Sequence, residues 1–158
     1  MVAKLDLNIF NFGLSFNRDT DHSRRTIQQL ITTSAKRITI LSGELNKSFF
    51  HNTDTKNALL SAAKKEIDIK IAFGPLTPEK CLKELKDLFD EYKNVTLYKL
   101  ETRPETHYMI FDNTVRIQHV HPPFQEEPRA VIKRNDPFIA SLYDDAFNEL
   151  VEREGTPV

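Results

Sequence analysis

Thr106-His-Tyr-Met-Ile-Phe111 and Val115-Arg-Ile-Gln-His-Val120, joined by Asp112-Asn113-Thr114, decide the architecture of this chain. Both runs are rich in β-branched and aromatic residues, and the polar joint between them is a hairpin signal. Upstream, Ile38-Thr-Ile-Leu41 reads as a short buried strand. Ile67–Phe73 alternates apolar with charged residues and stops at Gly74-Pro75, and Val95–Leu100 reads as a third strand. Helices fill the gaps. Asp21 or Ser23 caps the first, which carries Ile27, Leu30, Ile31 and Ala35 at helical spacing, with Lys36 and Arg37 in its last turn. Thr53 caps the second, with Ala58, Leu59, Ala62 and Ala63 facing inward. Thr77-Pro78-Glu79 gives the third a cap, a proline at its first position and an acidic first turn; its stripe is Leu82, Leu85, Leu88, Phe89 and Tyr92.

Downstream of the hairpin, Arg129–Lys133 reads as another strand. Asn135-Asp136-Pro137 caps a final helix whose inward residues are Phe138, Leu142, Ala146, Phe147, Leu150 and Val151. At the other end, Leu5–Phe10 alternates well enough for a short strand, and Asn11-Phe-Gly13 marks a turn. Alternating strands and helices followed by a hairpin give an α/β fold: a mixed β-sheet flanked by helices on both sides. The organisation expected is an N-terminal strand or arm over residues 1–22 and one domain over 23–158.

The 158 residues match one domain, long enough to bury roughly two-thirds of the unfolded surface without staples. Lysine plus arginine number 22 and aspartate plus glutamate 23, so the net charge of −1 argues against a basic nucleic-acid coat and against an acidic tail. The basic pairs Arg24-Arg25, Lys36-Arg37, Lys64-Lys65 and Lys133-Arg134 are interspersed with carboxylates and read as solvated helix termini. The one cysteine, Cys81, sits in a helical pattern and reads as a small packed residue. No stretch approaches the ~18 apolar residues of a membrane span, and Met1 is not followed by a signal-peptide pattern. The cytoplasm is the expected compartment.

With the element order in place, the sequence resembles one repeat of the phospholipase D superfamily from about Ser23 to Glu152. The likeness is carried by Ala35-Lys-Arg-Ile-Thr-Ile-Leu-Ser-Gly43, by Tyr108-Met-Ile-Phe-Asp-Asn-Thr-Val-Arg-Ile117, and by the capped helix Asp136-Pro-Phe-Ile-Ala-Ser-Leu-Tyr-Asp-Asp-Ala-Phe-Asn-Glu-Leu150. The resemblance implies a motif H-x-K-x4-D on a strand leading into a tight turn. In the family a histidine attacks phosphorus, a second histidine resolves the covalent intermediate, and the lysine holds the non-bridging oxygens. Two motifs face each other, so a single repeat implies a homodimer.

Taking Asp112 as the motif aspartate places Glu105 at the histidine position and His107 at the lysine position. The other register makes His107 the histidine, but puts Met109 in place of lysine. The first keeps Phe111-Asp112-Asn113 on the strand-to-turn junction and is preferred. In both, the triad is incomplete, and Gln118-His-Val-His121-Pro-Pro stands where a Gly/Ser segment would admit phosphate. The resemblance therefore implies a catalytically degenerate domain that binds a ligand or protein partner through the former cleft. Glu105, His107, Asp112, His119 and His121 are expected to line that cleft, with Glu44 and Asn46 across from them. The alternative is an active phosphodiesterase or nuclease with a non-standard site based on His107, with or without help from a metal.

His119 and His121 share a face if the strand persists that far, and with Glu105 or Asp112 offer nitrogen and oxygen ligands to zinc. His-x-His alone is a weak metal signal. The plainer account, in which these residues line a cleft and hydrogen-bond to Asp112, Glu126 or water, is preferred. Neither a metal nor another cofactor is expected. Arg103 and Arg116 flank the motif strand and could contact phosphate or carboxylate. Phe49-Phe50, in a polar loop, suggests packing beneath it or a dimer contact. The partners expected are a second copy of the chain and a protein or small phosphate-containing ligand, not nucleic acid or a membrane.

Overall fold

The computed structural model describes residues 14–17, 20–45, 52–119 and 130–158. The expected strand at Leu5–Phe10, the Phe49-Phe50 pair, Asn46 and His121 lie outside them, and of His119 only the backbone is described. In chain order the elements are β1 (Leu14–Asn17), α1 (Thr20–Thr33), β2 (Arg37–Ser42), α2 (Thr53–Lys64), β3 (Asp68–Phe73), α3 (Glu79–Phe89) and β4 (Val95–Leu100). β5 (Thr106–Phe111), β6 (Thr114–His119), β7 (Ala130–Lys133), α4 (Pro137–Glu154) and β8 (Gly155–Pro157) complete them.

The described strands form one sheet in the order β1-β7-β6-β5-β2-β3-β4-β8. β2, β3 and β4 run parallel, as helical crossovers require. β5 pairs antiparallel with the free side of β2, placing Ile40 opposite Met109 and Ile38 opposite Phe111, and β6, β7 and β1 extend the sheet antiparallel. Helices cover both faces. On one, α1, α2 and α3 bury Ile27, Leu59 and Phe89 against Ile40, Ile71 and Met109. On the other, α4 buries Ala140 and Phe147 against Ala72, Ile110 and Val115. Period-two alternation sends adjacent strand residues to opposite faces; β2 is buried on both from Ile38 to Ser42, whereas β3 keeps Asp68 exposed and Lys70 half-buried before its apolar end.

Several local expectations are corrected. α1 begins at Thr20, so Asp21 and Ser23 lie inside its first turn instead of capping it. It ends at Thr33, and Lys36 and Arg37 belong to the approach to β2. Asn52, not Thr53, caps α2: its side chain accepts from the Asp54 and Thr55 N–H groups. Thr77 does not cap α3, because its hydroxyl accepts the Leu45 N–H at 3.1 Å instead. Asp136 does cap α4, accepting the Ile139 N–H at 3.0 Å. Of the inward residues expected on α4, Phe138 is 75% exposed and Leu142 55%, and Ala146 is exposed as well. The helix dips its face onto the sheet through Ala140, Phe147 and Val151, a stripe rotated from the one the sequence suggested. Two elements at the sheet's margins were not expected at all: β1, antiparallel to β7, and β8, antiparallel to β4.

Candidate functional site

The parallel strands β2 and β3 end side by side at Gly43 and Gly74, where α/β sheets place their binding crevices. Neither glycine has room for a side chain. A Cβ on Gly74 would lie 2.2 Å from the Gly43 carbonyl oxygen, and the Gly74 N–H donates to that oxygen at 3.1 Å. A Cβ on Gly43 would lie 2.4 Å from His107 Nε2 and 3.1 Å from Arg103 Nε. β5 runs antiparallel to β2, so its first residues arrive at this same end.

His107 therefore sits against Gly43 at this end of the sheet. The Gly43 N–H donates to its Nε2 at 2.9 Å. Only a deprotonated Nε2 can accept, so the ring is held neutral with its proton on Nδ1. Burial lowers its pKa below the ordinary 6.5. The Arg103 and Arg116 charges act the same way, and Glu44 opposes them. Arg103 reaches Glu44 at 3.7 Å across the rim, with both side chains about half exposed. Glu105 is exposed and has no described part in this contact set.

Asp112 is not in the crevice. It occupies the two-residue turn at the far end of β5, at φ 53°, a left-handed conformation that aspartate tolerates. Its carboxylate accepts from the N–H groups of Ala35 and Lys36 at 2.8 Å each and of Arg37 at 3.0 Å. Burial alone would raise its pKa, but these three backbone donors outweigh that and hold it below the ordinary carboxylate range. Five residue steps along the strand separate it from His107, on the order of 17 Å. The expectation that Asp112 lines the cleft is thus corrected: it clamps the start of β2. The motif aspartate belongs to a turn whose chemistry is structural.

Beneath His107 lies a residue that the sequence marked only as flanking. Arg116 stands opposite Met109 on β6 and shares the face of His107 and Gln118, themselves a directly opposed pair. It is 4% exposed. Its Nη1 and Nη2 donate to Gln118 Oε1 at 3.2 Å each, and Nη2 donates to Ser23 Oγ at 2.6 Å. Nε has no hydrogen-bond partner, and no carboxylate pairs with the guanidinium among the described residues. Burial pushes its pKa down to about 10, so it stays protonated at neutral pH. The sequence signal for it is the alternation Val115-Arg-Ile117 in a strand covered on both faces, which forces the charge inward. Ser23 carries no such signal, since a serine ahead of a helical pattern reads as a cap.

Of the expected set, then, the structure brings Glu44 and His107 together, leaves Glu105 exposed, and sends Asp112 to the opposite end of the sheet. Among the described residues no three His, Cys, Asp or Glu side chains converge as metal ligands would, and no helix is long and apolar enough to cross a membrane.

No family model and no curated protein matches the sequence. Solved structures do match the fold. Nuc from Salmonella typhimurium, a phospholipase D family member, superposes with a TM-score of 0.71 at 17% identity over 92% of this chain and 97% of its own. NucT from Helicobacter pylori gives 0.71 at 14% identity over 94% of this chain and 100% of its own. TrmBL2, an archaeal chromatin protein that binds DNA, gives 0.70 at 16% identity over 89% of this chain, which spans 53% of that protein's length. The chain has the phospholipase D-superfamily fold, the α/β architecture of a mixed sheet with helices on both faces.

Proposed function

We propose that this domain is a catalytically degenerate phospholipase D-like module that binds a small ligand in the crevice at the ends of β2 and β3 without hydrolysing it. The observation that carries the reading is the His107–Gly43 contact. A histidine that attacks phosphorus needs a free ring lone pair, and the Nε2 pair is engaged by a backbone N–H at 2.9 Å. The position where the family's nucleophile is expected holds Glu105, an exposed carboxylate, and no lysine follows two residues later. Loss of a nucleophile and a phosphate clamp costs many orders of magnitude in rate. What remains is a rim of opposite charges, Glu44 and Arg103, over a buried cation, a polar lining suited to recognition. The domain acts as a homodimer, two copies apposing their crevices as the family's paired motifs do.

The test is hydrolysis of bis-p-nitrophenyl phosphate and of DNA by wild type and His107→Ala. Turnover indistinguishable between the two supports the reading; His107-dependent turnover overturns it in favour of a non-standard phosphodiesterase. Sedimentation velocity tests the dimer, and a concentration-independent monomer would remove that part.

A second reading, association with DNA, is favoured by the likeness to TrmBL2. It stands against a net charge of −1 and a crevice whose buried arginine a duplex backbone cannot reach. Retention on DNA that weakens steeply with salt would support it.

A further inference from the structure

A guanidinium buried to 4% exposure is costly unless its charge and all its N–H groups are met. Arg116 has an amide oxygen and a hydroxyl, both neutral, and an Nε–H with nothing to donate to. Among the described residues no carboxylate pairs with it: Asp21 lies 3.5 Å from Arg24, and Glu44 lies 3.7 Å from Arg103. The positive end of the α1 dipole adds to the local field at Ser23, in the helix's first turn.

The planar fork shows where the missing partner belongs. Nη1 and Nη2 converge on Gln118 Oε1 and so use the terminal edge of the guanidinium. The other N–H of Nη2, accepted by Ser23, lies on the side edge that also carries Nε–H. That edge is the one that takes carboxylates and phosphates in pairs of parallel hydrogen bonds. Ser23, Gln118 and His107 are each only partly buried.

We propose that the Nε/Nη2 edge of Arg116, with the Ser23 hydroxyl beside it, binds an oxyanion: the phosphate or carboxylate group of a small molecule seated in the crevice. The assignment rests on the binding reading above and names the chemistry of its ligand. One anion oxygen takes the orphaned Nε–H and a second takes Nη2–H. The anion also balances two positive fields, the guanidinium and the helix terminus. Neutral His107 adds no third cation and leaves the anion to Arg116.

Thermal unfolding with inorganic phosphate and with succinate, at ionic strength held constant with chloride, tests the site and separates the two sources of the oxyanion. The wild type is expected to show a saturable rise in Tm with at least one of them. Arg116→Lys keeps a charge but loses the fork, and should weaken that midpoint by about tenfold, the worth of one charge-assisted hydrogen bond. Arg116→Met should abolish it; circular dichroism shows whether this variant folds, and the lysine variant decides if it does not. Absence of a saturable rise in the wild type, or midpoints unchanged in Arg116→Lys, overturns the proposal. His107-dependent hydrolysis alongside Arg116-dependent binding would sink the non-hydrolytic reading and leave the oxyanion site standing. Absent binding with absent turnover sinks the site alone.

Discussion

The two ends of β5 carry opposite polar economies. At the Asp112 end the polar groups close on one another: three backbone N–H groups meet one carboxylate, and Arg37 meets Asp144 at 2.7 Å while its Nε donates to the Asp112 carbonyl. At the His107 end a buried guanidinium keeps an orphaned N–H, and a histidine is held in its neutral form by a single backbone donor. The strand between them is apolar and buried from Tyr108 to Phe111. A site built for stability closes its hydrogen bonds internally. A site built to bind leaves some for the ligand, and this contrast along one strand supports the binding end proposed above.

The largest effect should come from the satisfied end. Asp112→Ala removes the acceptor for three N–H groups and a residue that tolerates φ 53°, and should cost about 1–3 kcal/mol in urea unfolding. A loss under about 0.5 kcal/mol, the size of an ordinary surface change, would erase the contrast. Gly43→Ala acts at the other end. Its Cβ would displace His107 Nε2, costing about 1 kcal/mol of overpacking. It should also raise the His107 pKa toward 6.5, followed by NMR titration, since the ring loses the donor that only its neutral form accepts. An unmoved pKa would show that burial alone sets it.

Acid should separate the ends in pH. His107 has a folded pKa below its unfolded value, so the folded state resists protonation and stability falls as pH drops below 6.5 through the folded value. Asp112 is also depressed, so its contribution is complete above the unfolded carboxylate pKa and is lost as pH falls through the folded one. His107→Gln should flatten the slope of stability between about pH 7 and 5 and leave the carboxylate limb in place. A slope unchanged in that variant would assign it to another histidine. The smallest effect lies away from both ends. Phe138→Ser and Leu142→Ser, on the exposed face of α4, should each shift stability by no more than about 0.5 kcal/mol.

The sequence was most legible where period and burial agree. Val95–Leu100 and Thr106–Phe111 coincide with the observed strands because their alternation and turn punctuation leave one answer. Helix starts were less legible. The segment from Thr20 to Ser23 holds several capping residue types, and propensity cannot choose between them. The rotated face of α4 was missed because apolar residues surround that helix: Phe138 and Leu142 compete with Ala140 and Phe147 for one pattern, and only the sheet surface selects between them. Motif spacing found His107 but carried Asp112 into the wrong place, since spacing along a strand says nothing about which end does chemistry. Ser23 and Arg116 lie 93 residues apart, and their pairing depends on how α1 crosses β6, which no local signal encodes.

The central position of β2 has a consequence for how this chain can be made. Its partner β3 lies one helical crossover away and can zip early, whereas β5 arrives only after β4 has been synthesised. Until Phe111 emerges from the ribosome, Ile38 and Ile40 present a bare, apolar strand edge to anything nearby. Docking of β5 on that edge closes the loop of highest sequence separation in the centre of the sheet, and should set the pace of folding. The Asp112 carboxylate latches Ala35, Lys36 and Arg37 as that edge is covered, so its loss should leave the half-made domain open longer to mispairing with another nascent copy.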